Sequence, residues 1–179
     1  MTAIVEKART YDADTAAPKK SFVLLLAGIL AMTIGFGAMA GGVFGAWYTW
    51  DQAVTQDIVT PDDAAIAEAP VRGPFTMWAQ ADIITTHQLD RTEGLYYSQM
   101  DREVPAVDEA GEPVLDENGE ALMVPNAARA SWFDATTLTT ALSLGIVSYA
   151  LATFAFVTGL TLVVVGYVII HIRRKAVFL

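Results

Sequence analysis

The 179-residue sequence predicts a mainly α-helical membrane protein: two transmembrane helices as an antiparallel hairpin, with a small helical outer domain and a short β-hairpin-like acidic insertion between them. Three observations predict it. Two long runs, residues 21–50 and 135–172, contain no Asp, Glu, Lys or Arg. Basic clusters flank them on one side only, Lys19-Lys20 before the first and Arg173-Arg174-Lys175 after the second. Of the 20 acidic residues, 17 fall between the runs, in 51–134, beside only Arg72, Arg91, Arg102 and Arg129.

The first run ends in Trp47-Tyr48-Thr49-Trp50, an aromatic belt of the kind that sits at the headgroup level. It continues past the small-residue triplet Ala38-Met39-Ala40 through Val43, Phe44 and Trp47. That is longer than the ~7–15 apolar residues of a signal peptide, so a retained span is the expectation. The second run begins with Thr136, Thr137, Thr139, Thr140 and Ser143, which places its membrane portion near 144–170 with a helical extension before it. Basic flanks stay on the cytoplasmic side. The expected layout is therefore a cytoplasmic tail at 1–20, a first span at 21–50 and an acidic extracytoplasmic domain at 51–134. A second span with its outer extension follows at 135–172, then a cytoplasmic tail at 173–179 in the cell membrane.

Within the first run Gly37, Gly41 and Gly45 make two consecutive GxxxG steps, and Ala38, Gly42 and Ala46 form a parallel row. Small residues let helix backbones approach closely where lipid removes the hydrophobic drive. The row serves either the hairpin itself or docking onto a foreign helix. Ala155 and Gly159 offer a shorter match in the second run. Neither span carries an ionisable residue other than His171 at the rim, which argues against a pump, channel or proton relay.

In the intervening segment, Thr60-Pro61-Asp62-Asp63 reads as a helix cap followed by an N1 proline and first-turn acids. Gly73-Pro74-Phe75-Thr76 reads as a break, and a helix is expected from Thr76 to about Glu93, stopped by Gly94. Trp78, Ala81, Ile84 and Gln88 would share one side of it. The stretch 108–115 is nearly repeated as 116–123, and Asn118-Gly119 between apolar residues predicts a hairpin turn. The acids lack the ligand spacing of an EF-hand loop. His87 has at most Asp90 on its helix face, too few donors for a metal site, which usually takes three or four. With Cys 0, no disulfide or thiolate chemistry is available. No phosphate-binding glycine loop or nucleophile elbow occurs. The net charge of −9 argues against nucleic acid. No cofactor and no catalysis are expected.

The stretch Gly73-Pro74-Phe75-Thr76-Met77-Trp78-Ala79-Gln80-Ala81-Asp82-Ile83-Ile84, then His87, then Met100-Asp101-Arg102-Glu103, resembles small two-span membrane proteins of actinobacteria that often carry the label "aromatic ring-opening dioxygenase". The resemblance spans most of residues 41–159, and this chain departs from it by the acidic insertion near 106–124. The label does not fit the chemistry. A non-haem iron triad takes two histidines and a carboxylate at one site, whereas His87 and His171 fall on opposite sides of the membrane in the expected topology. What the resemblance implies is an accessory subunit of the cytochrome bc/aa3 respiratory supercomplex. Its partners would be other integral membrane subunits and lipids. Gly37, Gly41 and Gly45 would dock a partner helix, and Phe75, Trp78, Tyr96 and Tyr97 would make outer contacts. The other expectations are a metal-handling protein or enzyme using His87, and a self-associating hairpin without a permanent partner.

Overall fold

A computed structural model describes residues 22–175; the N-terminal tail expected at 1–20 and the last four residues lie outside the described residues. The elements in order are α1 (Phe22–Thr55), α2 (Pro74–Arg91), a single 3-10 turn (Tyr97–Gln99), β1 (Glu103–Pro105), β2 (Met123–Pro125) and α3 (Ala127–Lys175). The described residues divide into two compact units, one of residues 22–44 and 152–175 and one of residues 45–151.

The first unit is a pair of antiparallel apolar helix segments. Both α1 and α3 are long and apolar enough to cross a membrane. Their 34 and 49 residues correspond to roughly 51 and 74 Å of helix, against a hydrocarbon core of ~30 Å. Large apolar side chains point outward all round, Phe22, Leu26, Leu30 and Phe36 on α1 and Phe154, Val157 and Val164 on α3. A helix apolar on every face needs lipid or protein around it. Hydroxyls inside the runs are satisfied locally, Thr33 Oγ1 donating to the Ile29 carbonyl and Thr161 Oγ1 to that of Val157, both at 2.9 Å. The basic trio Arg173-Arg174-Lys175 forms the last turn of α3, where the helix dipole favours positive charge.

The seam between the two segments is made of glycines seven residues apart. Gly28, Gly35 and Gly42 are the buried residues of α1, and Gly166, Gly159 and Ala152 face them on α3. A Cβ on Gly35 would stand 2.6 Å from the Gly159 carbonyl oxygen, and one on Gly159 would stand 2.5 Å from that of Gly35. Gly28 and Gly166 meet in the same reciprocal way, and a Cβ on Gly42 would stand 2.5 Å from the Ala152 carbonyl oxygen. Seven residues fall about 20° short of two full turns, so a seven-residue row stays on the seam when the helices wrap gently left-handed. Backbone meets backbone along it.

In the second unit, α2 opens with Pro74 at its first position and Gly73 as N-cap. Thr76 Oγ1 accepts from the Gly73 amide at 3.2 Å and donates to the Gly73 carbonyl at 3.0 Å. Gly73-Pro74 therefore starts the helix rather than breaking the chain before it. The helix ends at Arg91, and Gly94 (φ +80°) returns its amide to the Leu89 carbonyl at 2.8 Å, a Schellman-type closure. Its buried residues are Met77, Ala79, Ile83 and Gln88, whereas Trp78 is exposed, so the inward face is rotated from the expected one.

No helix follows Thr60. That side chain is 2% exposed and sits at the centre of a folded-back loop. Its Oγ1 donates to the Ile66 carbonyl at 2.5 Å and accepts from the Ala69 amide at 2.9 Å, while its own amide reaches the Ala69 carbonyl at 3.0 Å. Val59 and Pro70 bridge across the loop neck. The helix cap expected at Thr60 is not formed: its hydroxyl accepts from the Ala69 amide nine residues on, and the loop closes on itself before a helical turn can form.

β1 and β2 pair antiparallel with Val104 opposite Val124. Between them the duplicated octapeptides fold identically. Asp108 Oδ1 accepts from the amides of Ala110 and Glu112, each at 2.9 Å, and Asp116 Oδ1 accepts from Asn118 at 2.8 Å and Glu120 at 3.0 Å. Gly111 (φ +84°) and Gly119 (φ +82°) take the left-handed position of each turn. The amides of Ala106, Val114 and Leu122, eight residues apart, bond in a closed ring to the carbonyls of Leu122, Ala106 and Val114. The expected single hairpin is a double one.

α3 starts at Ala127, eight residues before the expected run, because Asn126 caps it. Asn126 Oδ1 accepts from the Arg129 amide at 3.1 Å.

Candidate functional site

The residues with recognition character sit on two separate parts of the chain. On α1, Gly37 and Gly41 are exposed, with open space where a side chain would stand. Gly45 is half-buried, and its carbonyl accepts from Thr49 Oγ1 at 2.9 Å. The hairpin is closed by the seven-residue row instead, so the GxxxG row is not what holds α1 to α3.

On the second unit, α2 holds Phe75 and Trp78 three residues apart on its outer face, 77% and 53% exposed. The opposite face is tied to α3. Met77 fills the space left by Gly145, and Gln88 Nε2 donates to Ser131 Oγ at 2.6 Å. Tyr149 Oη donates to the Arg72 carbonyl at 2.6 Å just before the helix begins. Tyr96 is 51% exposed but stacks one ring face on Trp132 at 5.4 Å, whose indole N–H donates to the Leu95 carbonyl. Tyr97 is half-buried. The Arg129 guanidinium lies 3.8 Å from its ring centroid, and Phe133 meets it edge-on at 5.1 Å. Of the four aromatic residues expected at an outer contact, Phe75 and Trp78 offer whole rings, Tyr96 offers one face, and Tyr97 belongs to an internal cluster.

His87 is paired within the chain. Its Nε2 lies 2.7 Å from Asp63 Oδ2, tying α2 to the Thr60 loop. That hydrogen bond holds the Asp63 carboxyl below the usual carboxylate range. Asp63, not Asp90, is the partner, and sequence spacing could not find it because it lies 24 residues away. Asp116 is also held below the usual range, by the Glu120 and Asn118 amides aimed at it. Among the described residues, no three of His, Cys, Asp and Glu converge as a metal would need.

A cavity of about 570 Å³ lies within the second unit, bounded by the end of α1, by α2 and by the start of α3. Gln52, Gln56 and Gln80 line it together with Ile58, Ile84 and Leu142, and none of its lining residues is Asp, Glu, Lys, Arg or His. Gln80 Oε1 is buried with no hydrogen-bond partner. The walls of this cavity come from three elements far apart in the chain, so no local pattern signals it.

No family model, curated protein or solved structure matches the chain.

Proposed function

We propose that this chain is a non-catalytic accessory subunit of a larger membrane complex, attached through the Gly37–Gly41 face of α1 and through Phe75 and Trp78. The observation that carries the reading is the separation of the two glycine rows. The hairpin is closed by Gly28, Gly35 and Gly42, which leaves Gly37 and Gly41 smooth and uncovered, as a helix-docking face requires. Exposed aromatic rings three residues apart are the side chains most enriched at contact centres.

In this reading both termini are cytoplasmic and residues 51–134 lie outside, because the basic residues cluster at 19–20 and 173–175. The sequence resemblance points to the actinobacterial cytochrome bc/aa3 respiratory supercomplex as the assembly. The absence of cysteine makes orientation simple to test. A single cysteine replacing Asn118 should react in intact cells with a membrane-impermeant maleimide, and one replacing Arg174 should not. The docking face is tested by Gly41→Leu, which should reduce co-purification of partner subunits at least tenfold while the hairpin stays folded. Full association of that variant would remove the docking role of this face.

A further inference from the structure

We infer that the double hairpin between β1 and β2 is a docking knob for a cationic protein, its apolar side receiving an apolar spot that the partner frames with lysine and arginine. The inference depends neither on the Gly37–Gly41 face nor on which side of the membrane the knob lies. Its shape follows from the repeat. Three antiparallel bridges, Met123 with Pro105, Val107 with Pro113 and Leu115 with Ala121, recur at eight-residue steps around the closed ring of amides. The β1–β2 stem is thus the third hairpin of a threefold knob. Side chains directly across a bridge share a face. The repeat puts the three bridges in equivalent places, so these six apolar residues gather on one side of the ring.

The described chain does not cover them. Every residue from 107 to 123 is exposed, with Val107 at 62%, Leu115 at 59% and Met123 at 49%. The hydrogen bonds of 106–122 stay within the knob, so these side chains pack into no core. A solvated turn has no need of them, yet both octapeptides place an apolar pair at the same step, Val114-Leu115 and Leu122-Met123. Neighbouring apolar residues left open within a polar rim mark a contact surface. Charge decides what covers it. Residues 103–125 hold seven acidic and no basic side chains. Asp108 and Asp116 are used by their own turns, whereas Glu109, Glu112, Glu117 and Glu120 make no ion pair among the described residues. A second copy would bring the same seven carboxylates against them, and an anionic bilayer surface is repelled in the same way. A protein surface rich in lysine and arginine is attracted instead, and its charges pair at the rim of an apolar centre.

The experiment uses the full chain in native membranes, with the photoreactive residue p-benzoylphenylalanine in place of Leu115 and crosslinks mapped by mass spectrometry. The expected result is a crosslinked protein joined at a segment flanked by lysine and arginine. The yield should fall about tenfold between roughly 0.05 and 0.5 M salt, as a contact steered by exposed charges does. Glu109→Gln, Glu112→Gln, Glu117→Gln and Glu120→Gln combined should lower it about tenfold and remove most of that salt dependence. The turns survive this change, because their hydrogen bonds use the Asp108 and Asp116 carboxylates and backbone amides. Unchanged amide exchange at Ala110 and Asn118 checks that. Val107→Ser with Met123→Ser should lower the yield too, but leave its salt dependence in place. Crosslinks to a second copy of the chain, to lipid, or to a partner segment without basic flanks would overturn the inference. So would a yield indifferent to salt and to the glutamine variant, and so would the absence of any crosslink.

Discussion

Replacing Gly35 with valine puts a Cβ 2.6 Å from the Gly159 carbonyl oxygen and 2.9 Å from the Val163 amide nitrogen. The first contact is about 0.8 Å short of the 3.4 Å at which ordinary contact begins. Both obstructing atoms are backbone, so no rotamer change relieves the clash. The helices must move apart, and that also loosens the close approaches at Gly28 and Gly42, one row step either side. Overpacking a well-fitted interface costs ~1–3 kcal/mol, and a rigid backbone contact belongs at the upper end. About 3 kcal/mol shifts the equilibrium between paired and separated helices on the order of a hundredfold. The control is Gly37→Val, two residues along the same helix, where nothing lies within 4 Å of the added Cβ. The assay is unfolding of the purified chain in mixed micelles with rising sodium dodecyl sulfate, followed by tryptophan fluorescence. Gly35→Val should move the midpoint well down and Gly37→Val should leave it nearly in place. Equal shifts, or a larger one for Gly37→Val, would falsify the seven-residue seam.

Thr60→Ala removes a buried hydroxyl that both donates and accepts, so it should lower stability by about 1–3 kcal/mol. The loop over 57–71 should then exchange its amide hydrogens faster. His87→Ala takes away the hydrogen bond that lowers the Asp63 carboxyl, so a carbon NMR titration should find the Asp63 pKa moving up toward its ordinary value. Asp116 also has a folded pKa below its unfolded one. Its contribution is therefore full above the ordinary carboxylate range and lost as pH falls through the lowered folded value. The amides of Asn118 and Glu120 should exchange faster on acidification, and Asp116→Asn should flatten that pH dependence.

The two long apolar helices were legible in the sequence because charge-free runs are properties of single segments. The seam was harder. The first run holds glycines at both four- and seven-residue spacings, and one helix alone does not say which row is used. The partner does: Ala152, Gly159 and Gly166 repeat every seven residues, and only Gly28, Gly35 and Gly42 match them in antiparallel register. Comparing the spacings of both runs would have found it. The Thr60 motif misled because Thr-Pro-Asp-Asp is also a turn sequence, and Pro70 lies too near for a stable helix to intervene. The octapeptide duplication announced two similar turns, and Asn118-Gly119 drew attention to the second alone. His87–Asp63 and the Gln80 cavity depend on contacts between distant segments, which no local pattern encodes.

The function proposed for this chain is attachment to a membrane complex. A mild-detergent pull-down of the tagged full-length protein from native membranes, read by mass spectrometry and haem absorbance, tests it most directly. Attachment should bring down integral membrane subunits at near-stoichiometric levels, with cytochromes among them. They should be lost in Gly41→Leu, which blocks the open face, where nothing lies within 4 Å of an added Cβ. A clean preparation with no partner, from membranes in which the protein is intact, would contradict it.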